Sequence, residues 1–436
     1  MRKQIKYLSA LLLLFNFLFV NAEKYTLNQC IEIALHNNLQ VQQQENEMRQ
    51  QQLAYDQARQ NLLPAVSANA GQNWSWGRST GVDNVMRAQN IANTSFALNA
   101  NLVLFDGLSM KYNIDQSKAL VNKTEADMQQ LKLDISLNIT AMFLQVLLDK
   151  ELEQTAQEQL ALTQRKIEKT QALVNAQRTA QGELYSMQAQ EAKEQLALVQ
   201  AQNTTKLALL DLAQAMELPY SDSFDIVHTT TDSLEHQLLP DKTIVYQEAM
   251  SNRPELKAAQ YTLEAQQIGL KNAKSAYYPT LSAGTGISTG YYHLYGADNV
   301  AFGKQLGDNF TTNVGLNLTI PIFDRMQTPN AVKRQEINVQ NAKLNIEQIT
   351  KDIQKEIDQA YYNALAAQTQ QQSAEQALTY AQEAFRYAEQ KQEAGKGTIY
   401  ELYEAKKLLT QAQSEQLQAK YNYIFKVRIL QYYAGK

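Results

Sequence analysis

Histidine, cysteine and glycine patterns would reveal catalytic or metal chemistry, and this chain contains none of the familiar ones. The four histidines are scattered along the sequence, at His36, His228, His236 and His293. None has the Glu-x-x-His or Cys-x-x-Cys spacing that places metal ligands side by side. The sequence also lacks a Gly-x-Ser-x-Gly nucleophile turn and a Gly-x-x-x-x-Gly-Lys phosphate loop. It therefore predicts a protein that is not an enzyme and that binds no cofactor or metal.

The single cysteine, Cys30, excludes an intrachain disulfide. On a predicted helix it shares a face with Leu27, Ile31 and Ala34. This pattern indicates a small buried side chain in the core rather than a reactive thiol.

The first 22 residues have the pattern of a secretory signal peptide. Arg2, Lys3 and Lys6 precede an apolar run of 13 residues, 8–20, and a small-residue cleavage site ends at Ala22. The run is too short to cross about 30 Å of hydrocarbon as a helix. Its removal leaves 37 basic and 44 acidic residues, a net charge of −7. This balance argues against a nucleic-acid partner, which would need a basic face.

The rest of the chain consists of two copies of an internal sequence repeat, with a period of about 215 residues. Asn37 and Pro64 recur as Asn252 and Pro279, 27 residues apart in both copies. The pair Asp106 and Leu184 recurs as Asp324 and Leu402, 78 residues apart in both. We therefore expect two copies of one substantial unit rather than a solenoid.

Long helices dominate each copy. Residues 108–181 and 330–394 contain neither glycine nor proline and are rich in Ala, Gln, Leu, Glu and Lys. Helices of about 70 residues would be about 100 Å long and would need partners along their length. Ala374, Ala377, Ala381, Ala384 and Ala388 have the alternating three- and four-residue spacing of a coiled coil. A second predicted helix, 183–218 or 398–433, folds back on each long one.

Two pairs of segments alternate between apolar and small polar residues and contain no charge. On the apolar side lie Val66, Ala68, Ala70, Leu98, Ala100, Leu102, Leu104, Leu281, Ala283, Ile287, Val314, Leu316 and Leu318. Asn, Ser, Thr and Gly occupy the other side. The apolar side ends in the aromatic residues Trp74, Trp76, Phe96, Tyr291 and Phe310. Such alternation fits a half-buried soluble sheet or a membrane barrel, and the aromatic ends with uncharged small residues opposite favour the barrel.

Four strands are too few to close a barrel, and an open sheet edge in lipid leaves backbone groups unsatisfied. The chain must then form an oligomer. Two copies would give eight strands around a filled interior, and three would give twelve around a pore. Gly284, Gly286, Gly315 and Ser67 are too small to fill a lumen, so we favour three copies, with twelve helices closing into a tube.

These features resemble the TolC-like outer-membrane efflux proteins, also called outer membrane factors. The resemblance rests on the repeat and on Leu-Pro-Ala-Val-Ser (63–67) and Tyr-Pro-Thr-Leu-Ser (278–282), which open the strand pairs. It rests also on Val-Leu-Phe-Asp-Gly (103–107) and Pro-Ile-Phe-Asp-Arg (321–325), which close them, and on the segment 395–405. The last of these is similar to the family's turn at the periplasmic tip.

The resemblance implies a mixed fold, an all-α coiled coil plus a transmembrane β-barrel, assembled as a trimer. Its segments would be first equatorial helices 23–63, first strand pair 64–105, first helical hairpin 106–220, linker 221–241, second equatorial helices 242–278, second strand pair 279–323 and second hairpin 324–436. It further implies a periplasmic adaptor and an inner-membrane pump of the RND, ABC or MFS type. The chain itself would be the passive exit duct of an efflux or type I secretion system, embedded in outer-membrane lipid.

By the same resemblance, Glu401 and Glu404 occupy the places of acidic residues that ring the family's closed aperture. The matching positions in the first copy are Glu183 and Ser186. Carboxylates from three copies would attract cations there. Alternatively, a glutamate in the first turn of a helix serves the helix dipole alone. Both interpretations stand for Glu401, and the second is favoured for Glu183.

The two hairpin tips are the predicted turns and adaptor contacts, at Gln177, Arg178, Gly182, Gly395, Gly397 and Thr398. Gln177 stands where the second copy has Gly395. Gly397 and Gln392 stand where relatives can carry an Arg and a Tyr that hold the tip closed, and Arg178 is a candidate substitute for them.

An alternative function is also open: the protein could be a scaffold of coiled coils that spans the periplasm and conducts nothing. The sequence does not name the cargo.

Overall fold

The computed structural model describes residues 24–80, 84–227 and 239–435. The predicted signal peptide, His228 and His236 lie outside these ranges. The elements of the first half are β1 (Lys24–Tyr25), α1 (Leu27–Asn37), α2 (Leu39–Gln60), β2 (Ala65–Ser75), β3 (Arg78–Thr80), β4 (Met86–Ala88), β5 (Ile91–Phe105), α3 (Ser109–Asn175) and α4 (Gln181–Ala215). Those that follow are β6 (Asp225–Ile226), α5 (Lys242–Asn252), α6 (Pro254–Ser275), β7 (Thr280–Leu294), α7 (Phe302–Asp308), β8 (Thr311–Thr319), α8 (Gln327–Glu393) and α9 (Ile399–Tyr433).

The chain divides into two compact units. The first comprises the described residues within Met1–Glu45, Ala126–Leu256 and Gln348–Lys436, and the second those within Asn46–Glu125 and Lys257–Glu347. Both long helices, α3 and α8, have 67 residues, and their followers, α4 and α9, have 35 each. A helix of 67 residues is about 100 Å long.

Helix α8 begins earlier than its glycine- and proline-free stretch suggested. It starts at Gln327, so Pro329 lies inside its first turn. A proline is tolerated there because the first N–H groups of a helix have no intrahelical acceptor.

An apolar core fills the first unit. Its largest members with almost no exposed surface include Ile139 and Leu147 of α3 and Leu212 of α4. Cys30 is 0% exposed within this core, and burial raises the pKa of its thiol to about 12, as expected of a structural cysteine. Helix α3 contains a stretch that is long and apolar enough, by length and composition alone, to cross a membrane. Since α3 supplies much of this core, packing within the unit also explains that hydropathy.

Strand β1 ties the start of the described chain to the segment after α4. It pairs in parallel with β6, with Lys24 opposite Asp225 and Tyr25 opposite Ile226. The Asp225 carboxylate binds Lys150 as well as Lys24. Burial acts to raise the pKa of Asp225, but the bonds from Lys150, the Ile226 N–H and Lys24 together lower the pKa below its usual value.

In the second unit, each long helix starts from the same kind of turn after a strand. Gly107 and Leu108 have φ values of 69° and 71°, and Arg325 and Met326 have values of 56° and 63°. The Asp106 carboxylate accepts the N–H of Met110 at 2.8 Å, and Asp324 accepts the N–H of Thr328 at 2.7 Å. Each aspartate therefore caps the first turn of its helix.

Only one of these turns requires glycine. A Cβ atom at Gly107 would lie 2.5 Å from the Ser275 carbonyl oxygen and 2.9 Å from the Tyr278 Cβ.

Gly107→Ala should lower the free energy of unfolding by at least about 1–2 kcal/mol, which is the cost of a left-handed backbone conformation alone. Thermal unfolding in detergent, followed by circular dichroism, measures this. Arg325→Ala is the matched control and should leave the midpoint unchanged, since a residue with a Cβ atom already occupies that turn. Equal midpoints for the two variants would contradict the argument.

Candidate functional site

A four-stranded antiparallel sheet in the second unit is the first candidate site. Its strand order is β2-β5-β7-β8. Strands β2 and β8 are therefore its edges, and each has one unpaired side among the described strands. None of the four strands contains an Asp, Glu, Lys or Arg residue.

The strand register confirms that the apolar residues share one face. Ala68 lies opposite Leu98, and Leu98 lies opposite Ile287. This face is open rather than packed: Val314 is 85% and Leu316 is 72% exposed. Apolar surface of this extent marks an interface with lipid or with another protein.

The expected alternation fails at one position, Leu104. A bulge between Val103 and Phe105 places Phe105 opposite Leu281. Phe105 rather than Leu104 thereby continues the apolar face, because one extra residue reverses the direction of every side chain beyond it.

The opposite face is lined by asparagine, serine, threonine and glycine. Asn99, Gly286 and Asn313 form one row across three strands. A Cβ atom at Gly286 would lie 2.8 Å and 2.9 Å from the amide oxygens of these two asparagines. The glycine thus makes room for amide side chains that lie along the sheet. The result is a neutral surface rich in hydrogen-bonding groups, suited to contact with water.

The predicted interface aromatics lie toward one end of the apolar face. Trp74 shares a row with Ala92 and His293, and Phe96 lies opposite Thr289. Trp76 is 72%, Phe310 56% and Trp74 52% exposed. Tyr291 is half-buried because the Phe302 ring packs against it, with 5.0 Å between centroids. All are near the connections from β2 to β5 and from β7 to β8.

The helical tips, in the first unit, are the second candidate site. Gln177 has φ 57° and Gly395 has φ 70°. After α3, the N–H of Arg178 bonds Leu173 O at 2.8 Å; after α8, the N–H of Lys396 bonds Lys391 O at 3.0 Å. Both helices therefore end in a Schellman motif, with a glutamine in one and a glycine in the other as the left-handed residue.

The helices that follow the tips begin differently. Thr398 caps α9 in a reciprocal capping box with Glu401, whereas Ala180 at the start of α4 has no side-chain cap. Lys391 bonds the Glu401 carboxylate at 2.8 Å and 3.0 Å, and this bond, followed by that to Thr398, lowers the pKa of Glu401. Glu183 instead accepts a 2.6 Å bond from the Thr179 hydroxyl.

Glu404 and Ser186 line one groove of about 850 Å³ between α4 and α9. Glu404 is exposed, with no ion pair to another described residue, while the Ser186 hydroxyl bonds Gly182 O at 3.0 Å. Lys193 and Lys407 line the same groove. The groove is therefore of mixed charge rather than uniformly acidic. Gly397 packs against Lys391 and Gln392, where a Cβ atom would lie 3.0 Å from the Gln392 nitrogen.

Comparison with known proteins decides the family. The model of the outer membrane efflux protein family matches residues 30–217 and 245–436. This chain belongs to that family. The predicted resemblance and the outer-membrane location, with extension into the periplasm, are thereby confirmed.

Relatives of this outer membrane efflux protein are distant in sequence. Toxin and drug export protein A of Aggregatibacter actinomycetemcomitans is 22% identical over 408 residues, covering 91% of this chain and 83% of the relative. The CmeC outer membrane channel of Campylobacter jejuni has a TM-score of 0.77 at 18% identity, covering 94% of this chain and 85% of that one. VceC of Vibrio cholerae has a TM-score of 0.76 at 16% identity, covering 94% and 95%. At such identities the structures support the fold alone.

Near the tips of this efflux protein lies a buried ion pair that sequence analysis missed. Lys406 of α9 is 6% exposed, and its Nζ donates to Glu194 of α4 at 2.7 Å and to the hydroxyl of Thr163 of α3. Burial lowers the pKa of Lys406, and the bond to Glu194 opposes this effect. One sequence pattern could have predicted the burial of Lys406: it lies on the same apolar stripe of the helix as Leu402 and Leu409. A charge at such a position needs a partner.

Tyr403 lies beside this pair. Its hydroxyl is buried without a hydrogen-bond partner among the described residues. Burial, and then the charges of Glu183 and Glu194, raise its pKa to about 12. Within the described ranges, no group of three or more His, Cys, Asp or Glu side chains is arranged to hold a metal.

The two Schellman motifs give a paired prediction. Gly395→Ala should reduce the local opening free energy of the second tip by about 1 kcal/mol, because its Cβ atom would meet nothing within 4 Å and only the left-handed strain remains. Gln177→Gly should raise that of the first tip by a similar amount. Amide hydrogen exchange of residues 173–183 and 391–401 measures both. Changes of the same sign in the two variants would rule out the assignment.

Proposed function

We propose that this protein is the outer-membrane exit duct of a multi-component efflux or secretion system. It is a passive conduit whose opening is controlled at the helical tips. Export is driven by an inner-membrane pump through a periplasmic adaptor. Membership of the outer membrane efflux protein family supports the class of function. The observation that carries the proposal is an uncharged sheet with an exposed apolar face and two open edges.

The open edges require more than one copy. In hydrocarbon, unpaired N–H and C=O groups on β2 and β8 would each cost several kcal/mol. Pairing β8 of one copy with β2 of the next removes both edges. Three copies then close twelve strands around a lumen lined by the neutral polar face.

Helix α4 provides independent support for assembly. Leu198, Leu209 and Leu212 are buried within the chain. On the opposite side of the same helix an exposed stripe consists of Leu196 (59%), Val199 (51%), Leu207 (52%) and Leu210 (37%). A helix that is apolar on both sides is expected between two protein surfaces.

Helix α8 has a comparable open surface. Tyr362, Leu365 and Ala377, with small and polar residues of α9, line a groove of about 1060 Å³. The seam is well buried at Ile353 and Ile357, at 1% each, whereas Ala377 and Ala384 remain exposed. Small residues allow close approach of another helix. A ring of twelve helices from three copies would cover both surfaces.

The test of function is electrical. The purified full-length mature protein, reconstituted in planar bilayers, should give steady single-channel currents. Deletion of residues 65–105 should abolish them. A chain that remains monomeric and soluble without detergent would reject the duct and favour the periplasmic scaffold, the second candidate.

Assembly has its own prediction. Leu196→Glu should break the oligomer, because it places a charge in the stripe where a second copy would exclude water. Light scattering coupled to size-exclusion chromatography in detergent measures the mass. Ala197→Glu, which adds the same charge at the neighbouring exposed position on another side of the helix, is the control and should remain trimeric. An intact trimer for Leu196→Glu would remove this stripe from the interface.

The aperture residues differ in expected effect. Glu404→Gln should weaken block of the pore by multivalent cations more than Glu401→Gln does, because Lys391 and the capping box already hold the Glu401 carboxylate. Glu183→Gln should leave block unchanged. Bilayer currents with increasing trivalent cation on the periplasmic side measure the affinity. Unaltered block in all three variants would exclude these carboxylates from the aperture.

Partners and cargo follow from the same proposal. The adaptor is expected to contact the tips around Gln177–Gly182 and Gly395–Thr398. Since the sheet lumen is neutral, it imposes no charge preference on cargo, and selection belongs to the pump. The names of relatives include export of toxins, drugs and cations, and small molecules or polypeptides are both compatible with such a lumen.

A further inference from the structure

Residues 295–310, the connection from β7 to β8, are bound to a part of the β7 edge that pairs with no described strand. Pairing between β7 and β8 stops at Ser288, although β7 continues to Leu294. Beyond that point the Gln305 amide accepts the N–H of Tyr292 at 2.9 Å and donates to its carbonyl at 3.0 Å. Asn299 makes the same two bonds with Leu294, at 2.7 Å and 2.9 Å. Side-chain amides thus replace the missing strand and hold the connection in one place.

The connection packs on the apolar face of the sheet. Thr289 and Tyr291 belong to this face by register, because they lie opposite Phe96 and Thr94. The Thr289 hydroxyl donates to Leu306 O at 2.6 Å. The ring of Phe302 meets that of Tyr291 edge to face.

Apolar side chains of this connection are directed outward. Tyr295 and Val300 are each 50% exposed, Phe302 48% and Phe310 56%. They continue the apolar face, where Phe310, Phe96 and Ile287 surround an open depression of about 340 Å³. A connection surrounded by water would not place four large apolar groups outward beside such a surface.

We infer that residues 295–310 lie among the lipid headgroups of the outer leaflet and form a lipid-contacting surface, rather than a loop in water. This rests on the proposed function, in which the apolar face is turned to lipid. The aromatic rings suit the boundary between hydrocarbon and headgroups. The charged side chains of the segment, Asp298, Lys304 and Asp308, are all exposed, which suits the depth of the headgroups rather than the hydrocarbon core.

The tryptophans of the chain make a direct test possible. It has only two, Trp74 and Trp76, and both belong to the aromatic residues at one end of the apolar face. With both changed to phenylalanine, Phe302→Trp provides a single indole at position 302. The full mature protein is reconstituted in phosphatidylcholine vesicles with brominated or ordinary acyl chains. Emission from position 302 should fall in the brominated vesicles to an extent comparable with the native tryptophans.

Two further variants distinguish the outcomes. Val300→Trp in the same background should also be quenched and has no ring contact to lose. Tyr400→Trp, at an exposed site (70%) in the first turn of α9, should not be quenched. Quenched native tryptophans with unquenched positions 300 and 302 would overturn this inference, leaving water or a neighbouring copy as the cover. Unquenched native tryptophans would reject the membrane barrel itself.

Discussion

Backbone hydrogen bonding at the two edges of one sheet is the constraint on which this structure depends. Water can satisfy the free N–H and C=O groups of β2 and β8, but hydrocarbon cannot. In the proposed outer-membrane duct, an exposed apolar face turned to lipid would therefore need partner strands from other copies. The neutral strands, the open stripe on α4 and the small residues along α8 are all consistent with this requirement. The same demand is met locally at β7, where amide side chains stand in for a strand.

Much of the architecture follows from periodicities in the sequence. The alternation of apolar with small polar residues in β2, β5, β7 and β8 predicts both faces of the sheet, because successive side chains of a strand point to opposite sides. Absence of glycine and proline predicts the long helices. Asp106 and Asp324 mark the equivalent starts of α3 and α8.

Other features have no local signal. Helix α3 ends near Gln177, a residue that seldom takes a left-handed conformation, so its end is fixed by tertiary context rather than by propensity. The bulge at Leu104 shifts the register without any glycine. The bonds of Gln305 and Asn299 depend on the unequal lengths of β7 and β8. The ion pair between Lys406 and Glu194 could be predicted only if it were known that α4 and α9 are neighbours.

The difference between the two helical tips has a dynamic consequence. The first turn combines an unfavourable left-handed glutamine with an uncapped alanine, whereas the second combines glycine, a capping box and a lysine–glutamate bridge. Fraying on the millisecond scale and proteolytic nicking should therefore begin at the first tip. In the proposed ring of three copies, the less stable first tips and the more stable second tips would alternate around the circumference. Dilation of the mouth would then start at three points rather than six.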